Sequence, residues 1–194
     1  MKYIRLLIVV LIVIIGVCLI GAGVLMLSGK NPSDFRSTVI PTFGKGTFQD
    51  PSLGISFRYP KEWEQRYAPP STVVFFGTGG VPTMTLAVQK RKEGETLEQL
   101  SKNNSEEIVT SGRENNFIVI TQKIDDWMVD ARAGKRMEYR FQHDGKVIRG
   151  VQIWTVEKKM EYIITFAAPS EQFEAAVQTF ENVLQSVHIS EVKN

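Results

Sequence analysis

Cysteine and histidine are nearly missing from this chain. Cys18 is its one thiol, and His143 and His188 are its whole imidazole complement. A single cysteine excludes an internal disulfide, so whatever folds here is held by its core alone. Neither histidine has a partner at His-x-x-x-His spacing, which leaves no recognisable imidazole-built metal centre. An excess of one charge is lacking too. Lys2 and Arg5 account for the entire margin of 23 Lys and Arg over 21 Asp and Glu. The remainder is neutral and has no general electrostatic pull toward nucleic acid or anionic lipid.

The chain does contain one long apolar run, Leu6 to Leu27, free of charge and preceded by Lys2 and Arg5. As a helix it would extend roughly 33 Å, enough to cross a hydrocarbon core of about 30 Å. A cleaved signal peptide has a shorter apolar region ending at a small-x-small site, whereas Gly21-Ala22-Gly23 is embedded within this run. A lipoprotein signal would put small residues just ahead of the cysteine, but Ile15-Gly16-Val17 precedes Cys18. The expectation is a retained signal-anchor over residues 1–27. Positive residues before the span put the N-terminus in the cytoplasm and the C-terminal part outside the cell membrane. Cys18 and Ala22, one helical turn apart, form a lone small pair that reads as ordinary lipid-facing packing. Residues 28–46, SGKNPSDFRSTVIPTFGKG, contain two prolines, three glycines and three serines without a period, the composition of a flexible linker. Residues 47–194 then form one extracytoplasmic domain of about 150 residues, large enough for a core of its own.

Within that domain, Asp50-Pro51-Ser52 and Gly54 mark the turn of a hairpin, and Ile55, Phe57 and Tyr59 alternate with Ser56 and Arg58 as in a half-buried strand. Further strands are expected at Thr72 to Phe76 and Pro82 to Lys90, the latter with Met84, Leu86 and Val88 on one face. Thr96 and Gln99 have capping-box spacing ahead of a narrow Leu97, Leu100, Ile108 stripe, predicting a surface helix from Thr96 to Val109. Strands follow at Asn116 to Ile124, Trp127 to Ala131, Lys135 to Gln142, Lys146 to Val156 and Met160 to Ala168. Asp144-Gly145 and Lys158-Lys159 supply turns. The last two strands are apolar on both faces and belong at the centre of a sheet. A final helix opens at Pro169-Ser170, with Phe173, Val177, Phe180, Leu184 and Val187 at helical spacing. Strand runs flanked by two helices give an α+β class, an antiparallel sheet packed by helices.

No catalytic, cofactor-binding or metal residue is assigned from these patterns. Gly77-Thr78-Gly79-Gly80 leads into a strand, not a helix N-terminus, so it reads as a hairpin loop and not a phosphate cradle. Asn103-Asn104-Ser105 matches a glycosylation acceptor but falls inside a predicted helix. Asp125, Asp126 and Asp130 offer oxygens for calcium but lack the alternating Asp-x-Asp-x-Asp-Gly pattern. His143 adjoins a turn, and His188 sits at the negative end of the last helix. No serine lies in a Gly-x-Ser-x-Gly turn, and no carboxylate pair can be placed across a cleft from spacing alone. Lys90-Arg91-Lys92 and Arg132 to Arg140 are basic patches without the interleaved aromatics of single-strand binders. Trp63, Tyr67, Trp127 and Trp154 would line an apolar groove if the fold brought them together.

Three stretches in order, GISFRYPKEW (Gly54 to Trp63), AGKRMEYRF (Ala133 to Phe141) and MEYIITFAAPSEQFEAAVQTFENVLQSVHI (Met160 to Ile189), resemble the PsbP-like superfamily, named for an extrinsic subunit of the photosynthetic oxygen-evolving complex. The resemblance implies an α-β-α sandwich used for non-catalytic protein contact. The superfamily includes extrinsic photosystem proteins, a nuclear-import factor that binds a small GTPase, and bacterial envelope proteins. This chain departs from the photosynthetic members in having a plain anchor in place of a plant transit peptide, and no functional residue of the family is carried over. The functional expectation is a membrane-anchored, non-catalytic binding or assembly module contacting another envelope or membrane protein. The alternatives are a carrier of an apolar ligand or lipid and, third, an envelope hydrolase.

Overall fold

A computed structural model describes residues 46–68, 71–77, 82–114, 118–143 and 145–192. The Leu6 to Leu27 span, the linker apart from Gly46, Thr78 to Gly80 and Asp144 lie outside the described residues. Among those described, no helix is long and apolar enough to cross a membrane.

The domain opens with a hairpin, β1 (Gly46–Asp50) and β2 (Ile55–Tyr59), closed by an aspartate turn. Asp50 Oδ1 accepts the backbone N–H of Ser52 at 2.9 Å and of Leu53 at 3.2 Å. Gly54 follows at φ +65°, where a Cβ would lie 2.5 Å from the Ser190 carbonyl oxygen. Both the left-handed backbone and the close approach require glycine. The contact has a purpose, since Ser190 N–H donates to the Gly54 carbonyl at 2.8 Å. There the C-terminal strand β10 (His188–Ile189) joins β2, completing a three-stranded sheet of order β1-β2-β10.

The remaining strands are β3 (Glu64–Ala68), β4 (Thr72–Phe76), β5 (Thr83–Lys90), β6 (Ile118–Val129), β7 (Arg132–His143), β8 (Lys146–Glu157) and β9 (Met160–Pro169). They form a seven-stranded antiparallel sheet of order β3-β4-β5-β9-β8-β7-β6. The doubly apolar strands β8 and β9 stand inside it, as their composition predicts. The stretch divided in the sequence into Asn116 to Ile124 and Trp127 to Ala131 is instead one strand, β6, with an irregularity between Thr121 and Ile124. Helix α1 (Leu97–Glu114) starts with a reciprocal cap: Thr96 N–H donates to Gln99 Oε1 at 2.9 Å and Gln99 N–H to Thr96 Oγ1 at 3.2 Å. It runs five residues past the expected end at Val109. Helix α2 (Ser170–Gln185) buries Phe173, Phe180, Val183 and Leu184, and Phe180 stacks on Phe166 of β9 at 4.8 Å between centroids.

Each face of the large sheet carries its own core. On one side, Met84, Leu86, Ile153, Ile164 and Phe166 pack under α2 and the small sheet. On the other, Met137, Tyr139, Phe141, Trp154 and Ile163 pack with Leu100 and Ile108 of α1. The arrangement is α+β, with α1 on one face and α2 plus the small sheet on the other. The two coverings are offset: α1 lies over β6, β7 and β8, whereas α2 contacts β8 and β9. The outer strands β6 and β7 therefore extend past α2 on its side of the sheet.

Candidate functional site

The four aromatics that could have formed one groove are not brought together. Trp63 and Trp154 are buried, in the two cores on opposite faces of the sheet. Tyr67 is 66% exposed on the edge strand β3, and only Trp127 is half-buried at a groove. Strand parity separates Trp127 from Trp154, since they lie opposite the adjacent residues Gly134 and Lys135 of β7 and so face opposite sides, while Trp63 precedes β3. The three aspartates do not converge either. Lys123 pairs with Asp125 at 2.7 Å and Lys135 with Asp126 at 2.6 Å. Asp130 instead fastens the β6–β7 turn to the C-terminal strand, its Oδ2 accepting Arg132 Nη1 at 2.6 Å and Ile189 N–H at 2.7 Å. Burial raises the Asp130 pKa, but the Ile189 N–H, His188 and Arg132 outweigh it and hold the carboxyl below its ordinary value. His188 is exposed, with Nδ1 3.2 Å from that carboxylate. Gly77 N–H donates to the Pro82 carbonyl at 2.8 Å between paired strands β4 and β5, the geometry of a hairpin.

Two places gather functional groups. The first is the shelf formed by β6 and β7 beside α2. Register puts Trp127, Arg136, Glu138 and Arg149 on this face, together with the core residues Val151 and Ile153. The Arg136 guanidinium lies 5.2 Å from the Trp127 ring centroid and donates to Glu138 at 2.6 Å. Arg149 reaches Glu138 at 3.8 Å, pairs with Glu174 of α2 and covers Phe173 at 4.1 Å. The predicted basic patch is thus an alternating row of charges that ends on a tryptophan. Between Trp127, Met128 and the C-terminal end of α2 at Leu184 and Gln185 lies a groove of about 290 Å³. Met128 is 61% exposed, one of two large apolar side chains so exposed among the described residues.

The second is a pocket of about 260 Å³ on the other face, beneath the first half of α1. Its floor is the cross-strand pair Gln89 and Glu161, and its mouth holds Lys90, Arg91 and Lys92. Glu161 is 3% exposed and accepts a hydrogen bond from Gln89 Nε2. Burial pushes its pKa up to about 7, with Glu95 adding to the rise and the Gln89 bond, Lys92 and Arg91 opposing it. Glu107 of α1 also lines the pocket. Its Oε1 is buried without a hydrogen-bond partner among the described residues, and burial raises its pKa against the pull of Lys92. Sequence reasoning missed this pair. The available signal was Glu161 itself, the one charge in a strand otherwise built of apolar residues, threonine and a terminal proline. Among the described residues, no group of three or more His, Cys, Asp or Glu side chains is placed to hold a metal ion.

No protein-family model matches the chain, and a search of curated protein sequences finds no match. Solved structures do match. Cyanobacterial PsbP (CyanoP) from Synechocystis sp. PCC 6803 superposes with a TM-score of 0.64 at 15% identity, over 74% of this chain and 91% of that one. The Ran-binding protein Mog1p of Saccharomyces cerevisiae gives 0.57 at 8% identity, over 76% of this chain and 96% of that one. LpqN of Mycobacterium tuberculosis, described as involved in cell envelope biogenesis, gives 0.50 at 9% identity, over 71% and 83%. With a seven-stranded antiparallel sheet between one helix and a helix backed by a small sheet, the chain has the PsbP-like fold.

Proposed function

We propose that this chain is a non-catalytic binding or assembly module, held at the cell membrane by the Leu6 to Leu27 span with its domain outside, that contacts another envelope or membrane protein through the Trp127 shelf. The observation that carries this reading is the tryptophan and arginine row left beside α2, ending at a groove of about 290 Å³ with Met128 exposed at its edge. Tryptophan, arginine and methionine are all enriched at protein interfaces, and tryptophan and arginine, with tyrosine, at their energetic centres. Arg136 and Arg149 are already oriented by Glu138, so a partner gains their donors with little ordering cost. The fold likeness to a Ran-binding protein and to a protein of envelope biogenesis supports the same class of role. A carrier of apolar cargo is less well supported, because Trp63 and Trp154 are buried in two separate cores and the grooves are bordered by charged groups.

The test is site-specific photocrosslinking in intact cells, with the probe at Met128 and, as a control, at Tyr67. A discrete adduct to a membrane or envelope protein from position 128 alone, lost in Trp127→Ala with an unchanged melting temperature, supports the assignment. Equal crosslinking from both positions, or none from either, refutes it.

A further inference from the structure

We propose that the pocket beneath α1 binds a small zwitterion that carries a primary ammonium and an acidic group, with the ammonium toward Glu161 and Glu107 and the acid toward Arg91 and Lys92. The site is independent of the Trp127 shelf and lies on the opposite face of the sheet.

The argument starts from unmet hydrogen-bonding capacity. Glu161, on the floor, is 3% exposed and has a single side-chain donor, the Gln89 amide. Glu107 comes from the wall formed by α1, and its Oε1 is buried with no donor among the described residues. Buried carboxyl oxygens are costly to leave unpartnered. Two carboxyls lining one small space call for a compact group with several N–H donors, and an ammonium has three. A hard divalent cation fits less well, because among the described residues no third carboxylate is placed with this pair to hold a metal ion, and Lys92 already acts on both carboxyls.

Size and the remaining charges define the other half of the ligand. The volume of about 260 Å³ far exceeds that of one water, so a bare ammonium would leave it mostly unfilled. Arg91 and Lys92 line the mouth beside Glu95, which is engaged by Asn103 Nδ2 at 3.1 Å, and both cations also act on Glu161 from there. Carboxyls within and cations at the rim match a molecule of a few heavy atoms with opposite charges at its ends. The charged groups around Glu161 are Arg91 and Lys92 just after β5, Glu95 before α1, and Glu107 on α1, while strand parity turns Lys90 to the side of Val88. An ammonium would favour ionisation of Glu161, whose carboxyl burial raises to about 7, so binding at pH 7 releases protons.

Isothermal titration of the full chain in detergent, in two buffers of different ionisation enthalpy at pH 7, provides the test. L-Alanine represents a free amino acid and O-phosphoethanolamine a lipid headgroup; whichever binds identifies the acidic end. The expected result is saturable binding of at least one probe with a Kd at or below about 1 mM and proton release. Acetate and methylammonium, which each carry half the charge pattern, should bind at least about tenfold more weakly. Glu161→Gln and the more peripheral Glu107→Gln should each weaken binding about tenfold, and Glu107→Gln serves should the first variant fold poorly. No saturation by either zwitterion, or equal binding of the half-ligands, overturns the proposal. Crosslinking at Met128 is unaffected by either result.

Discussion

Replacing Glu161 by glutamine should stabilise the protein at pH 8 and do almost nothing at pH 4. The carboxyl has an ordinary value of 4.5, and burial raises it to about 7 in the folded chain. Below pH 4.5 the group is protonated in both states and imposes no penalty. Between 4.5 and 7 the unfolded chain loses the proton while the folded chain keeps it, so stability falls as pH rises through this window and levels off above it. A gap of this size corresponds to about 3 kcal/mol, and because one edge of the carboxyl faces the pocket, about 2 to 3 kcal/mol is the expected loss by pH 8. Glutamine keeps an oxygen for the Gln89 amide and cannot ionise. The variant should therefore melt about 5 to 10 °C above the parent at pH 8, with the two curves converging near pH 4.

Tryptophan fluorescence is the natural probe, because Trp63, Trp127 and Trp154 are the whole tryptophan content and all lie in the domain. Glu107 is raised as well by burial, so its contribution to the pH dependence has the same sign. Asp130, Asp126, Glu64 and Glu98 are all held below their ordinary values, so their stabilisation is lost only as pH falls through the acid range. They cannot mimic the effect between pH 5 and 8. A variant that retains the full parental slope across that window, or that loses stability at pH 8, refutes the assignment of Glu161 as the buried titrating group.

Three other substitutions test the fold by thermal or urea unfolding. Ala131→Gly should stabilise by about 0.5 to 1 kcal/mol, because the β6–β7 turn holds Asp130 at φ 49° and Ala131 at φ 60°, a conformation that favours glycine at its second position; a lower melting temperature would contradict the strain. Gly150→Ala should destabilise by about 2 to 3 kcal/mol, since the new Cβ would lie 2.3 Å from Cζ of Tyr139, a ring buried to 1% exposure; a neutral result would mean that the ring can move. Thr96→Ala should cost about 1 kcal/mol by removing the Oγ1 acceptor for Gln99 N–H, with faster amide exchange at the start of α1; unchanged exchange there would show that the cap does not hold this end.

The parts of this fold legible in the sequence are those where one face is dry and the other wet. Met137, Tyr139 and Phe141 alternate with Arg136, Glu138 and Arg140, and the structure places the first set against α1 and the second on the α2 side. β3 carries no such signal. As an edge strand paired only with β4, Glu64, Arg66 and Tyr67 are exposed and resemble a loop in composition. Asp125 and Asp126 suggested a break because both are exposed on the other edge strand, β6, where charge discourages further strand pairing. The far end of α1 was hidden for the opposite reason: Ser101, Asn104 and Ser111 are buried polar residues, so the apolar stripe ends before the helix does. The sites depend on cross-strand register. Local spacing cannot show that Glu161 lies opposite Gln89, or that Trp63 and Trp154 are divided by a sheet.

The offset of the two coverings is what gives one small domain two different surfaces. Had α2 lain over β7 and β6, their α2-side positions would have had to be apolar, and the row from Trp127 through Arg136 and Glu138 to Arg149 could not have stood there as charge. Had α1 lain squarely over β9, Glu161 would have been sealed in without an opening to the Lys90 to Lys92 mouth. Instead each helix packs on an apolar stretch of the sheet and meets the charged residues at its edge through ion pairs, Glu98 with Lys135 under α1 and Glu174 with Arg149 under α2. The seven-stranded sheet is the only layer between the shelf and the pocket, and stacked layers in such folds are about 10 Å apart. A bulky partner on the Trp127 side therefore leaves the mouth of the pocket open. The shelf stands on β6, β7 and β8 and the pocket on β5 and β9 of the same sheet, and they share no side chain, so occupancy of one influences the other through that sheet and the positions of α1 and α2 on it.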